Sequence, residues 1–248
     1  MTVRNFVIPA LLALGCATQP PAITSSSPHI AAAVADAKRP EADRARDADR
    51  KPAEMLAFAG IAPGQRVADF IPGGGYFTRL FAEAVGASGV VYALVPPASA
   101  QRDGAPPIRA IAELQPNVKL VQATIAKIDV GEPLDAIFTA QNYHDLHLAA
   151  LKLDVAAVNA QVFNALKPGG VYVVVDHSAK PGADITVADT LHRIDQAIVR
   201  RELEAAGFVY DGESDVLRNA ADTRELSVFD PSIRGKTDQF VMRFRRPK

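Results

Sequence analysis

Of the five histidines in this chain, four follow or approach apolar runs where an acid–base group would be useful. His144 and His147 come just after the run 134–140, His177 follows the run 171–176, and His192 lies further along. The first pair sits in Gln141-Asn142-Tyr143-His144-Asp145, where a carboxylate stands next to an imidazole. Such a ring would take a proton from a hydroxyl or an amine, and Asp145 would orient it and raise its basicity. Tyr143 and the pair Asp176-His177 extend the same set, so His144, Asp145, Tyr143 and His177 are the candidate catalytic residues. A plainer reading stays open: Asn142, His144 and Asp145 would tie down a loop through side-chain-to-backbone bonds. By the same token Asp176 would cap a loop, and His147 and His192 would simply pack. His144, His177, His192 and Asp176 could converge on a metal, but no tight ligand spacing is present, and no metal is expected.

A second stretch offers ligand-binding chemistry of another kind. Val67-Ala68-Asp69-Phe70-Ile71-Pro72-Gly73-Gly74-Gly75-Tyr76 reads as a strand, a tight turn and a helix start. Glycines there remove Cβ atoms, so a ligand can approach backbone N–H groups at the positive end of a helix. Asp69, Gly73, Gly74, Gly75, Tyr76 and Asn142 are the candidate cofactor-binding residues, although a glycine triplet by itself is equally well a turn.

The elements that must position these groups alternate. A short helix over 54–59 stops at Gly60, and a first strand covers 66–70. Phe77, Leu80, Phe81, Ala84 and Val85 then repeat at helical spacing up to Gly86. A strand at 90–95 leads into a loop over 96–107, followed by a helix carrying Ile108, Ile111 and Leu114 and strands at 118–123 and 134–140. Asp154 would cap a helix burying Val155, Val158, Val162 and Leu166, which stops at Lys167-Pro168-Gly169-Gly170 before a fifth strand at 171–176. One long helix is expected to present Leu191, Ile194 and Ile198 and to end near Gly207, with late strands near 208–211 and 239–245. This order predicts an α/β domain with a doubly wound, seven-stranded, mostly parallel sheet, the last strand antiparallel because no crossover helix precedes it. Ligands on such sheets bind beyond the carboxyl ends of the strands. The charged stretch 219–238, with Arg218, Arg224, Arg234 and Lys236 in or beside it, reads either as a lid whose arginines hold a substrate anion or as a solvated loop.

Asp69 closing the first strand, the glycine turn, and Leu166-Lys167-Pro168-Gly169-Gly170 before the fifth strand together resemble the class I S-adenosylmethionine-dependent methyltransferases. The likeness runs over about residues 54–248, and more narrowly it resembles predicted bacterial methyltransferases that carry export signals. It implies S-adenosylmethionine as cofactor, with Asp69 near the methionine part and the glycine-loop backbone along its other side. Two positions depart from the family pattern: Ile71-Pro72 stands where glycine is usual, and the second strand ends Ala93-Leu94-Val95 without the acidic residue that usually receives the ribose hydroxyls. A missing charge-assisted hydrogen bond costs about 1.5–3 kcal/mol.

Composition bounds the partners. With 248 residues, a net charge of −1, no Trp and 6% aromatics, nothing points to a grip on nucleic acid. The N-terminal run Phe6 to Gly15 is too short to span a bilayer but suits a secretory signal. It ends at Cys16, the single cysteine, in an arrangement resembling a bacterial lipobox. An incidental cysteine in an ordinary signal, or an uncleaved apolar arm, are the alternatives. The expected division is therefore a signal segment 1–16, a tether and polar extension 17–52 containing His29 and a solvated helix broken at Pro40, and a methyltransferase-like domain 53–248. The expected protein is exported, in the periplasm or as an outer-membrane lipoprotein anchored through Cys16. It would transfer a methyl group to a small-molecule oxygen or nitrogen nucleophile. The same scaffold turned to lyase, isomerase or hydrolase chemistry, or a non-catalytic envelope binding protein, are the competing functions.

Overall fold

The computed structural model describes residues 24–96, 106–122 and 128–248. The signal-like segment, Cys16, most of the loop after the second strand and Ala123 lie outside the described residues. Elements are numbered in chain order: α1 (Pro28–Ala35), α2 (Glu41–Arg44), α3 (Asp47–Arg50), α4 (Pro52–Ala59), β1 (Arg66–Phe70), α5 (Tyr76–Val85), β2 (Val90–Val95), α6 (Pro106–Leu114), β3 (Val118–Gln122), β4 (Leu134–Ala140), α7 (Val155–Ala165), β5 (Leu166–His177), α8 (Val187–Leu191), α9 (Gln196–Ala205), β6 (Val209–Ser214) and β7 (Gln239–Arg245). Short 3₁₀ turns at His144–His147 and Ala149–Leu151 follow β4.

The seven strands form one sheet in the order β3-β2-β1-β4-β5-β7-β6. β1 to β5 pair in parallel, and β7 runs antiparallel to both β5 and β6. The chain winds outward from β1 to β3, then returns to place β4 on the other side of β1. The switch point therefore lies between the C-terminal ends of β1 and β4.

Alternating residues of each strand enter opposite layers, as the pleat requires. Val67, Val91, Phe138 and Val173 join α1, α4, α5 and α6 in one core. Ala68, Ile137, Tyr172 and Val174 join α7 and α9 in the other. Because both faces are covered, the strands read as nearly continuous apolar runs.

Two stretches differ from the sequence expectation. The start of the polar extension is not solvated: α1 packs on the domain, with Ile30 and Ala33 fully buried in the first core and His29 Nε2 2.8 Å from the Ile61 carbonyl, while the break at Pro40 is present and α2 and α3 bury no residue. The single long helix through Leu191, Ile194 and Ile198 is two helices. His192 turns left-handed at φ 52°, Ile194 bridges in parallel to Ser178, and Asp195 restarts the helix by accepting from the Ala197 N–H at 2.9 Å. Asp195 is a good N-cap residue, and its local hydrogen bond wins over the apolar periodicity that suggested continuity.

Candidate functional site

The glycine turn leaves β1 at the switch point. Ile71 has φ 62° and Gln141, at the exit of β4, has φ 65°. A β-branched residue in left-handed backbone is strained, and such residues gather at functional sites. Ile71 thus keeps the conformation that glycine would hold more easily. Asn142 ties the two exits together, its Nδ2 donating to the Ile71 carbonyl at 3.0 Å and to the Ala140 carbonyl at 2.7 Å.

Between these exits lies a cavity of about 240 Å³, lined by Asp69, Gly73, Gly74, Tyr76, Asn142 and the N-terminal Arg50, among others. The three glycines have different roles. A Cβ built on Gly73 or Gly74 meets nothing within 4 Å, and only Gly73 has positive φ. Gly75 is left-handed, and a Cβ there would collide with Ile111. Gly75 is thus favoured first by its left-handed backbone and then by its close approach to Ile111, while Gly74 alone could take a side chain without backbone strain.

Asp69 is almost fully buried, and Thr78 Oγ1 donates to its Oδ2 at 2.6 Å. Burial lifts its pKa to about 6, against the opposing pull of Thr78 and the Arg50 charge. The roof comes from residues 39–50. Arg50 lies over the rings of Tyr76 and Phe77, at 4.8 and 5.6 Å from their centroids, and donates to Gln141 Oε1 at 3.1 Å. Burial, then the neighbouring Arg46 charge, lowers the Arg50 pKa to about 10. Its Nε is buried with no hydrogen-bond partner among the described residues. The Tyr76 hydroxyl donates to Asp47 at 2.6 Å, Arg39 pairs with Asp47 at 2.5 Å, and Arg79 pairs with Asp43 at 2.8 Å. Nothing in the Ala-, Asp- and Arg-rich extension distinguishes these residues from a solvated face, so sequence reasoning missed Arg50, Arg46 and Asp43.

The histidines gather in a separate place. Asp176, fully buried at the end of β5, accepts from the His144 backbone N–H at 2.7 Å and from the His177 N–H at 2.7 Å; its Oδ1 lies 2.8 Å from His144 Nδ1. His144 Nε2 then faces Asp145 Oδ1 at 3.1 Å and His192 Nδ1 at 3.3 Å. Burial alone would lower the His144 pKa, but the Asp176 and Asp145 carboxylates carry it to about 10. With Asp176 on Nδ1, Nε2 is the ring atom that a general base would present, and it faces Asp145 and His192. His177 is half-buried, and its Nδ1 lies 2.7 Å from Thr237 Oγ1. Burial depresses its pKa to about 4, outweighing Asp176.

Tyr143 and His147 leave the site altogether. The Tyr143 hydroxyl donates to Glu202 at 2.9 Å and accepts from Asn159 at 2.7 Å inside the second core, and His147 Nε2 lies 3.1 Å from Glu202. The 3₁₀ turn rotates consecutive residues to different sides, which a linear motif does not reveal.

The stretch 219–238 is stapled down, and two of its expected anion-binding arginines are occupied. Asp222 forms a fully buried bidentate pair with Arg193 at 2.8 and 3.1 Å, and Asp238 pairs with Arg218 and Arg224 at 3.3 and 2.9 Å. Arg193 therefore locks the segment that carries His192.

No protein-family model and no curated protein matches the sequence. Solved structures do. A SAM-dependent methyltransferase from Aquifex aeolicus superposes with a TM-score of 0.58 at 19% identity, over 82% of this chain and 93% of that one. An arsenic(III) S-adenosylmethionine methyltransferase from Chlamydomonas reinhardtii gives 0.55 at 19% identity, over 89% and 74%. The 1,6-didemethyltoxoflavin-N1-methyltransferase of Burkholderia thailandensis, solved with 1,6-didemethyltoxoflavin and S-adenosylhomocysteine, gives 0.52 at 18% identity, over 84% and 79%. At this identity the likeness establishes the fold, that of the class I S-adenosylmethionine-dependent methyltransferases.

Proposed function

We propose that the chain is an S-adenosylmethionine-dependent methyltransferase acting on a small-molecule oxygen or nitrogen nucleophile. The observation that carries this reading is the cavity at the β1/β4 switch point, where an aspartate, an open glycine turn and the Arg50 guanidinium converge. These groups fit the methionine end of the cofactor. Asp69 offers a carboxylate to its ammonium, the Gly73–Gly74 backbone leaves room for close approach, and the Arg50 guanidinium, which lines the cavity, would pair with its carboxylate. When bound, the cofactor supplies an electrophilic methyl group, and the protein's part is to hold the acceptor in line with it.

The adenosyl end is recognised differently from the family pattern, because β2 closes on the buried Val95 rather than on a carboxylate. The cavity, at about 240 Å³, is correspondingly smaller than the roughly 300–1,000 Å³ of most small-ligand sites. Calorimetry of the full chain with S-adenosylmethionine and S-adenosylhomocysteine tests the reading. Saturable binding of one equivalent is expected, and the absence of heat and of competition by either compound would remove it. The histidine cluster and Val95 favour one alternative, the same scaffold used for lyase, isomerase or hydrolase chemistry, and that reading takes over if binding fails.

The export reading belongs to the same proposal: a chain delivered to the envelope and anchored by lipid on Cys16. Among the described residues no helix is long and apolar enough to cross a membrane. Cys16→Ser is expected to release the protein from the membrane fraction and to lower its mass by the lipid. Unchanged attachment and mass would end the lipoprotein reading.

A further inference from the structure

We propose that His144, Asp145 and His192 form a binding site for a divalent transition-metal ion. The three candidate ligand atoms, His144 Nε2, Asp145 Oδ1 and His192 Nδ1, lie within 4.8 Å of one another. Their separations are 3.1, 3.3 and 3.7 Å. Ligands about 2.0–2.2 Å from a common ion stand about 2.8–3.6 Å apart at octahedral or tetrahedral angles. The observed triangle matches that spacing with little adjustment.

The surroundings are those of a ligand set. Asp176 Oδ1 faces His144 Nδ1 at 2.8 Å, so a ring N–H there donates to the buried carboxylate and Nε2 is left as the coordinating atom. A carboxylate behind a histidine in this way fixes the ring and strengthens it as a ligand. His192 is held from the other side. Its left-handed backbone, at φ 52°, is followed by Arg193, whose guanidinium donates to Asp222, to the Ser178 carbonyl and to the Leu226 carbonyl. A left-handed conformation costs a residue with a Cβ about 1–2 kcal/mol, and here it turns the imidazole back onto His144.

Two nitrogens and one carboxylate oxygen suit zinc, iron, cobalt, nickel or manganese, and disfavour magnesium and calcium, which take oxygen donors. Three protein ligands leave at least one position open, as in catalytic rather than structural sites. The exposed Phe229 ring stands beside the set, 4.7 Å from the His192 ring. Water, or an oxygen donor on a small molecule whose apolar part rests on Phe229, fits that position.

The test uses tag-free full chain, stripped with a chelator and titrated with Co²⁺, followed by displacement with Zn²⁺. One equivalent of Co²⁺ with a visible absorption band is expected, displaced by Zn²⁺ but not by Mg²⁺ at equal concentration. His192 and Asp145 side chains are 27% and 32% exposed, so His192→Ala and Asp145→Asn are expected to fold, and each is expected to weaken binding by about 100-fold. His147→Ala, whose imidazole pairs with Glu202 elsewhere, is expected to bind as the parent does. Absence of saturable binding, displacement by Mg²⁺, binding equal to the parent's in either ligand variant, or loss in His147→Ala would each overturn the site. The titration contains no S-adenosyl compound, so its outcome is independent of the methyl-transfer reading.

Discussion

The cavity beneath Arg50 and the histidine cluster around Asp176 open at the ends of neighbouring strands, yet they are held in opposite ways. The cavity is shaped by backbone: left-handed Ile71 and Gln141, open Gly73 and Gly74, and a roof of arginines contributed from far along the chain. The cluster is shaped by side chains locked from behind by Asp176 on one side and by the Arg193–Asp222 pair on the other. Both share β4 and its exit, where Asn142 lines the cavity and His144 enters the cluster. A backbone-shaped site tolerates loss of a roof charge but not an intruding side chain. A side-chain site fails when its hidden supports are removed.

The largest effect is expected at Arg193. Replacing it with Met leaves Asp222 buried and unpaired, and removing one partner of a buried ion pair costs about 3–5 kcal/mol. Urea denaturation is expected to show this loss, with Co²⁺ binding impaired in the folded fraction and S-adenosylhomocysteine affinity retained there. Parallel loss of both affinities would mean that the two regions are one cooperative site.

Gly74→Val comes next. Its Cβ projects into free space and its backbone is not left-handed, so the fold should survive while the valine occupies the ligand's place. S-adenosylhomocysteine affinity is expected to fall by about 100-fold, or ~2.7 kcal/mol, by calorimetry. Retained affinity would place the ligand elsewhere, and Co²⁺ binding should not change.

Removing the roof charge follows. Arg50→Met is expected to weaken S-adenosylhomocysteine by about tenfold to 150-fold, the value of one charged hydrogen bond. Thermal stability should hold or rise, because a half-buried cation with an unsatisfied Nε is lost. Affinity equal to the parent's would show that Arg50 only packs on Tyr76 and Phe77.

The smallest effect is expected from pH. The Asp69 pKa rises on folding to about 6, so its protonated form is the one the folded state favours. Its contribution to stability is complete below the unfolded carboxylate value and is lost as pH rises through about 6. A cationic ammonium prefers the ionised form, so affinity for S-adenosylhomocysteine should run the other way, rising by about threefold to tenfold between about pH 5 and about pH 7. Asp69→Asn should flatten that profile, and a flat profile in the parent would detach Asp69 from the ammonium.

The alternation of apolar runs with helical periodicity determined the parallel sheet and its antiparallel last strand, because burial on both faces leaves a direct mark on residue type. The glycine turn and Asp69 were legible for the same local reason: close backbone approach and a strand-end carboxylate are properties of a few adjacent residues. Tertiary structure alone decided which charged residues matter. Arg50 and Arg193 look like any other arginine in a charged helix until packing takes one over Tyr76 and buries the other against Asp222. It also separated Tyr143 from His144, since a 3₁₀ turn sends neighbours to different layers. And it brought His192 onto His144 through a helix break whose signal, the Asp195 cap, is visible in the sequence but whose consequence is not. Hydrogen bonds and ion pairs between distant segments depend on distances in space, and those are fixed only when the two cores close around the sheet.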